Sequence, residues 1–294
     1  MRRRPVFTIM ALLTLLGLNP VARSAAPATD KVGVFVSVPP HAYLVERIGG
    51  QNVKVDVLVQ SGQEPHTFEP TPRQVAALSK ASLFFMVGMP YEKALIAKIP
   101  AGHEGLSVVD TMASFRDPTD PALPQENPNG EKVKDPHVWL SPALLRIQAE
   151  NIAKALAKTD PGRAENYEMN LTKFCEDLDA TDQRVRSILG PFQGRSFYVF
   201  HPAFGHFAEA YGLRQEAVEV EGKEPSPRQL RNLIGRAKRE KARAIFVQPQ
   251  FDTKSAKAVA EAIGGAVVLL DPLAKDALKN LEDIAEKLQS ALKR

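Results

Sequence analysis

DPGRAENYEMNLTKFCEDLDATDQRVRSILGP, residues 160–191, is the stretch whose reading decides the fold. Asp160-Pro161 is a helix start with proline in the first turn, and Gly190-Pro191 is a stop. Between them Tyr167, Leu171, Phe174, Leu178, Thr181, Val185 and Ile188 recur at alternating intervals of four and three residues. That spacing places them on one face of a helix of nearly 30 residues. At the usual rise per residue such a helix is about 40 Å long, enough to cross a whole domain. We read it as a rigid strut joining two lobes, with a helix packed inside one large domain as the alternative. Cys175 lies off the stripe.

On both sides of this helix the chain alternates strand and helix signals. Upstream, Val32–Val38, Val53–Val59, Leu83–Val87 and Ser107–Val109 read as short strands. Ala42–Ile48, Arg73–Lys80 and Tyr91–Ile99 read as the helices between them. A polar stretch, Asp117–Pro136, follows, with prolines at 118, 121, 124, 128 and 136, and is read as an exposed loop. Ser141 as N-cap with Pro142 at the first position then opens a helix running to about Lys158. Downstream, Ser196–Phe200, Leu213–Val220, Ala244–Gln248 and Ala266–Leu270 read as strands. Pro202–Tyr211, Pro227–Lys238, Thr253–Ile263 and Lys275–Leu292 read as helices. The expected fold is therefore α/β, with two lobes, each a mostly parallel sheet flanked by helices. The lobes are 25–159 and 191–294, linked by a helix over 160–190, and their interface is the natural ligand site.

The 294 residues carry an ordinary globular composition, 44% hydrophobic and 24% charged. The net charge of +4 comes from Arg2, Arg3, Arg4 and Arg23, which precede the first acidic residue, Asp30. Without them the chain is formally neutral, so no nucleic-acid footprint is expected. Those arginines frame a secretion signal over 1–24, with a basic start, an apolar run of 13 residues at Val6–Leu18 and small residues at Val21–Ala26. The run is too short for a membrane span, which needs about 20 residues. One cysteine, Cys175, excludes an intrachain disulfide and a multi-cysteine zinc site, and none follows the apolar run to carry a lipid anchor. The expectation is a monomeric periplasmic protein without a membrane span in its mature form.

In open α/β sheets ligands bind beyond the carboxyl ends of the strands. His66 follows the second strand signal, His201 follows Ser196–Phe200 directly, Asp271 follows Ala266–Leu270 directly, and His137 lies before the next helix. Three imidazoles and a carboxylate suit a divalent transition metal. From spacing alone a structural or solvated role is the commoner one for any single histidine, and Asp271 could cap a turn before Pro272. His41 also follows a strand, His103 sits in a Gly-flanked loop, and His206 is placed in helix packing or behind the ligands. HExxH, GxSxG, GxxxxGK[ST] and GxGxxG are all absent. Nothing demands catalysis.

EPHTFEPTP (64–72), DPHVWLSP (135–142), FHPAFGHFAEAYGL (200–213) and LLDPL (269–273) together resemble the zinc/manganese-type solute-binding proteins of bacterial ABC importers, cluster A-I. The resemblance covers essentially the whole mature chain. It implies two α/β lobes joined by one long helix, with a transported metal between them. Carried over residue by residue, it implies His66, His137, His201 and Asp271 as ligands, and an inner-membrane permease with a cytoplasmic ATPase as partners. A histidine at the third position is commonest in zinc-associated members and glutamate in manganese-associated ones, so the implied cargo is Zn²⁺, with Mn²⁺ or iron as the alternative. The chain departs from the family in three places: a histidine-free 117–136 loop, a single cysteine, and Gln248-Pro249-Gln250 where many relatives read EPQ. Four protein ligands leave zinc no open position for an activated water, which favours carriage over a secreted zinc hydrolase using Glu64 or Glu69. An adhesive protein on the same scaffold is the third reading. The long helix implies modest lobe movement on loading.

Overall fold

The computed structural model describes residues 31–99, 105–113, 135–219, 226–251 and 254–293. The expected signal segment, His103 and the proline-rich stretch up to residue 134 lie outside the described residues. In the first lobe β1 (Val32–Val36), β2 (Val53–Val57), β3 (Leu83–Met86) and β4 (Ser107–Asp110) form a parallel sheet ordered β2-β1-β3-β4. In the second, β5 (Ser196–Val199), β6 (Arg214–Ala217), β7 (Ala244–Val247) and β8 (Ala266–Leu269) repeat that order as β6-β5-β7-β8. The central strands β1, β3, β5 and β7 are short, mostly apolar runs, as a sheet covered on both faces requires, whereas the edge strands β2 (VKVDV) and β6 (RQEA) carry polar residues.

The helices fall where the periodicity places them. The first lobe holds α1 (Pro39–Gly49), α2 (Pro72–Leu78), α3 (Pro90–Ile96) and α4 (Pro142–Thr159). The second holds α6 (Gly205–Ala210), α7 (Pro227–Arg239), α8 (Lys254–Ile263) and α9 (Ala277–Leu292). Two helices at equivalent places in the lobes start alike. Thr71-Pro72-Arg73-Gln74 opens α2 and Ser226-Pro227-Arg228-Gln229 opens α7, each as a full capping box in which hydroxyl and glutamine satisfy one another's backbone donors. Ser141 differs: it stands at the cap of α4 in extended conformation, but its hydroxyl makes no capping bond.

The linking helix α5 covers Ala164–Leu189, 26 residues or about 39 Å. It begins three residues later than Asp160-Pro161 suggests, because Pro161–Arg163 form a separate 3₁₀ turn. Asp160 serves that turn instead of opening the helix, accepting from Tyr167 Oη at 2.7 Å and Arg163 Nη1 at 3.0 Å. Tyr167, Phe174, Leu178, Thr181 and Val185 are buried as the stripe predicts. This face packs on α1 and α4 of the first lobe and on α9 of the second. Ion pairs flank the strut, Arg47–Asp177 and Arg146–Asp179 toward the first lobe and Arg184–Glu282 toward α9.

Strand alternation divides the second-lobe core between two layers. Phe197, Val199 and Phe246 join the large core that runs through α5 into the first lobe. Tyr198, Phe200, Ile245 and Val247 point to the other face, against Leu233 and Ala237 of α7 and Val259 and Ala260 of α8. One apolar core therefore spans both lobes on the strut side, and the polar strand ends are left to face each other.

Candidate metal centre

Three loops at the carboxyl ends of strands, or beside them, bring His66, His137 and His201 together. The loop after β2 carries His66. Glu64 clasps it: one carboxylate oxygen accepts from the His66 backbone N–H at 2.8 Å, the other from the Thr67 N–H and hydroxyl at 2.7 Å each. Burial pushes the Glu64 carboxyl up, but the Thr67 hydroxyl and the two backbone donors outweigh it and hold the carboxyl below its usual value. Glu64 is thus engaged in shaping the loop, and Glu69 is exposed.

The second loop uses the same device. Asp135 Oδ1 accepts from the His137 backbone N–H at 2.9 Å and from His137 Nδ1 at 2.6 Å. Burial raises this carboxyl, while the neighbouring His137, by charge and hydrogen bond, and then His206 bring it below the ordinary value. His137 caps a 3₁₀ turn over Val138–Leu140, and Trp139 in that turn is 1% exposed. The indole sits edge-on to His137 at 5.5 Å between centroids and donates from Nε1 to the Pro272 carbonyl at 2.6 Å, one residue past Asp271.

His201 follows β5. Its Nδ1–H donates to Glu219 Oε2 at 2.7 Å, both residues being buried. Gln248, fully buried at the end of β7, grips the His201 backbone twice: Oε1 accepts from its N–H at 3.1 Å and Nε2 donates to its carbonyl at 2.9 Å. An ionised glutamate at 248 would lack the second bond, so glutamine suits this place. Phe251 stacks on the His201 ring at 4.8 Å.

These carboxylates fix the imidazoles chemically. With Nδ1–H donated to Asp135 and Glu219, the Nε2 lone pairs of His137 and His201 are turned to the space they share with His66. His66 Nε2 lies 3.4 Å from His137 Nε2 and 3.2 Å from His201 Nε2. Around a tetrahedral ion with nitrogens at 2.0–2.1 Å, neighbouring ligand nitrogens stand about 3.3 Å apart. One ligand atom from each histidine lies within 4.8 Å of the others, and among the described residues this is the one such group of metal-ligating side chains. Burial first, then the neighbouring His137 and His201, lowers the His66 pKa to about 4, so near neutral pH its ring is an unprotonated donor.

Asp271 lies outside that group of mutually close atoms. Its Oδ1 accepts from the Leu273 N–H at 2.9 Å, capping the turn at Pro272, and from Gln250 Nε2 at 3.0 Å. His41 is not brought to the site; it is buried in the first-lobe core with Nε2 on Gln148 Oε1. His206, on α6, lies behind His137, with Nε2–H donating to the Asp135 carbonyl at 3.1 Å. Sequence reading passed over Asp135 and Glu219, and marked Gln248 as a departure from the family pattern without giving it a role at His201. Asp135 had a signal, since Glu64-Pro65-His66 and Asp135-Pro136-His137 share one acid-Pro-His pattern. Glu219 had none, because it reaches His201 across 18 residues through strand pairing.

Comparison with known proteins bears on this geometry. The profile of the ZnuA family, described as the periplasmic component A of zinc-uptake complexes, matches residues 34–292. The chain belongs to the ZnuA family. A crystal structure of a zinc-bound ZnuA deletion mutant superposes with a TM-score of 0.81 at 42% identity, covering 89% of this chain and 98% of that one. The high-affinity zinc uptake protein ZnuA of Bacillus subtilis is 29% identical over 282 residues, 91% of this chain and 88% of its own. The manganese ABC transporter lipoprotein PsaA of Streptococcus pneumoniae is 28% identical over 312 residues, 97% and 99% of the two chains. ZnuA-family proteins are binding components of metal importers and not enzymes. Among the described residues no helix is long and apolar enough to cross a membrane.

Proposed function

We propose that this ZnuA-family chain captures zinc in the periplasm and delivers it to an ABC permease powered by a cytoplasmic ATPase. His66 and His137 hold the ion from the first lobe, and His201 holds it from the second. Asp271, which starts the turn tied to Trp139 through Pro272, supplies the fourth ligand. The supporting observation is the set of Nε2 separations, 3.2 and 3.4 Å, matched to a tetrahedral zinc site and backed by buried carboxylates on Nδ1. The zinc-bound relative supports the same reading. We also propose that residues 1–24 are removed on export and that, with Cys175 the single cysteine, no lipid is attached after the apolar run. The working divisions are 25–159, 160–190 and 191–294.

Manganese carriage is the second reading, favoured by the likeness to PsaA. Competition calorimetry of the chelator-stripped protein with zinc and manganese, beside His201→Ala, separates the two. One-to-one zinc binding that is much tighter than manganese binding and is lost in the variant is the expected result. Equal affinity for manganese would overturn the zinc assignment, and an unaffected variant would overturn the ligand set.

A further inference from the structure

Asp135 belongs to the first lobe, yet part of its environment comes from the second. His206 Nε2–H donates to its carbonyl at 3.1 Å. The preceding residue is Gly205, and a methyl group placed there would stand 2.7 Å from Asp135 Oδ2. That approach is closer than carbon and oxygen tolerate. Gly205 has no positive φ, so its backbone suits any residue, and alanine at a helix start is otherwise favourable. The glycine is needed there for room. The turn that presents it is itself pinned, because Gln215 Oε1 on β6 accepts from the Phe204 N–H at 2.6 Å.

We propose that Gly205 and His206 are positioning residues that act on His137 from across the lobe interface, through Asp135. The inference rests on the reading of His137 as a zinc ligand. The second lobe seats Asp135. The seated carboxylate takes both the backbone N–H and the Nδ1–H of His137. The imidazole is thereby held with Nε2 toward His66 and His201. Strong metal binding in the first lobe then requires the second lobe to be docked, in addition to its own contribution of His201.

The test is a set of zinc affinities measured by competition with a chromophoric chelator on full-length mature protein, with melting curves of the metal-free variants. Gly205→Ala should weaken zinc binding by about 10- to 100-fold, the usual effect of disturbing an outer-shell partner. In an Asp135→Ala background the same substitution should change affinity less than twofold. His206→Ala, which removes atoms instead of adding them, should weaken binding in the same direction. The cobalt-substituted protein should show a changed ligand-field spectrum in both. Gly205→Ala binding zinc within twofold of the parent would overturn the proposal, as would an equal loss with and without Asp135. Should Gly205→Ala fail to fold, His206→Ala decides alone, and unchanged affinity and cobalt spectrum in it refute the proposal. A fully retained affinity in His137→Ala would overturn the ligand reading itself, and this inference with it.

Discussion

Replacing Glu219 with alanine should cost zinc affinity while leaving the metal-free fold in place. Glu219 Oε2 stands 2.7 Å from His201 Nδ1, and their side chains are 8% and 10% exposed. A carboxylate so placed fixes the tautomer, stops ring rotation and raises the basicity of Nε2. Loss of such a partner typically weakens a metal site by about 10- to 100-fold, or roughly 1.4–2.7 kcal/mol. The same energy appears in melting experiments, since a ligand that binds only the folded state stabilises it by its mass action. At fixed saturating zinc the rise in melting temperature should shrink by about 2–5 °C for a chain of this size. Glu219→Gln, which keeps an acceptor but loses the charge, should fall between parent and alanine variant. The assay is chelator competition with parallel melts, with and without zinc. An alanine variant that binds within twofold of the parent would refute the argument that the carboxylate sets the donor strength of His201.

Two further outcomes concern stability. His41 is fully buried, and burial lowers its pKa from 6.5 to about 4. Between those values the unfolded chain takes up a proton that the folded chain refuses, so stability is present above pH 6.5 and falls by about 3 kcal/mol as pH drops to 4. Urea midpoints of metal-free parent and His41→Asn across that range should show a flatter profile in the variant, and identical profiles would dismiss His41 as the cause. Trp139→Phe removes the donor to the Pro272 carbonyl and should cost about 1–3 kcal/mol by leaving a buried acceptor unpaired; urea unfolding that matches the parent would show that the inter-lobe bond contributes nothing.

The strut, the eight strands among the described residues and the flanking helices were legible because each depends on local periodicity. Tyr167, Phe174, Leu178, Thr181 and Val185 of the stripe are buried as its spacing requires, and the runs read at Val53–Val59, Ser196–Phe200 and Ala266–Leu270 hold strands over Val53–Val57, Ser196–Val199 and Ala266–Leu269. The same local logic misplaced the start of α5, where a 3₁₀ turn uses Asp160 to bind Tyr167 and Arg163. It also gave Ser141 a capping role that its hydroxyl does not fill. The three histidines were picked out by position after strands and by resemblance, but position alone did not distinguish His66 from His41.

Sequence by itself determined the α/β alternation, the long linking helix and the pool of residues able to bind a metal, because these follow from side-chain period and donor chemistry along the chain. Tertiary structure alone decided which histidines meet, since His137 and His201 stand 71 and 135 residues from His66 and converge with it only when both sheets present their carboxyl ends to one space. It also decided what stands behind them. Glu219 reaches His201 because β6 pairs with β5, and Gly205 reaches Asp135 because the lobes dock. Neighbours, finally, set His41 apart from its sequence equivalents, since His137 and His201 are buried too. An imidazole held on Gln148 in an apolar core stays neutral and packs, whereas three at a polar strand-end interface, two of them backed by carboxylates, offer their lone pairs to a cation.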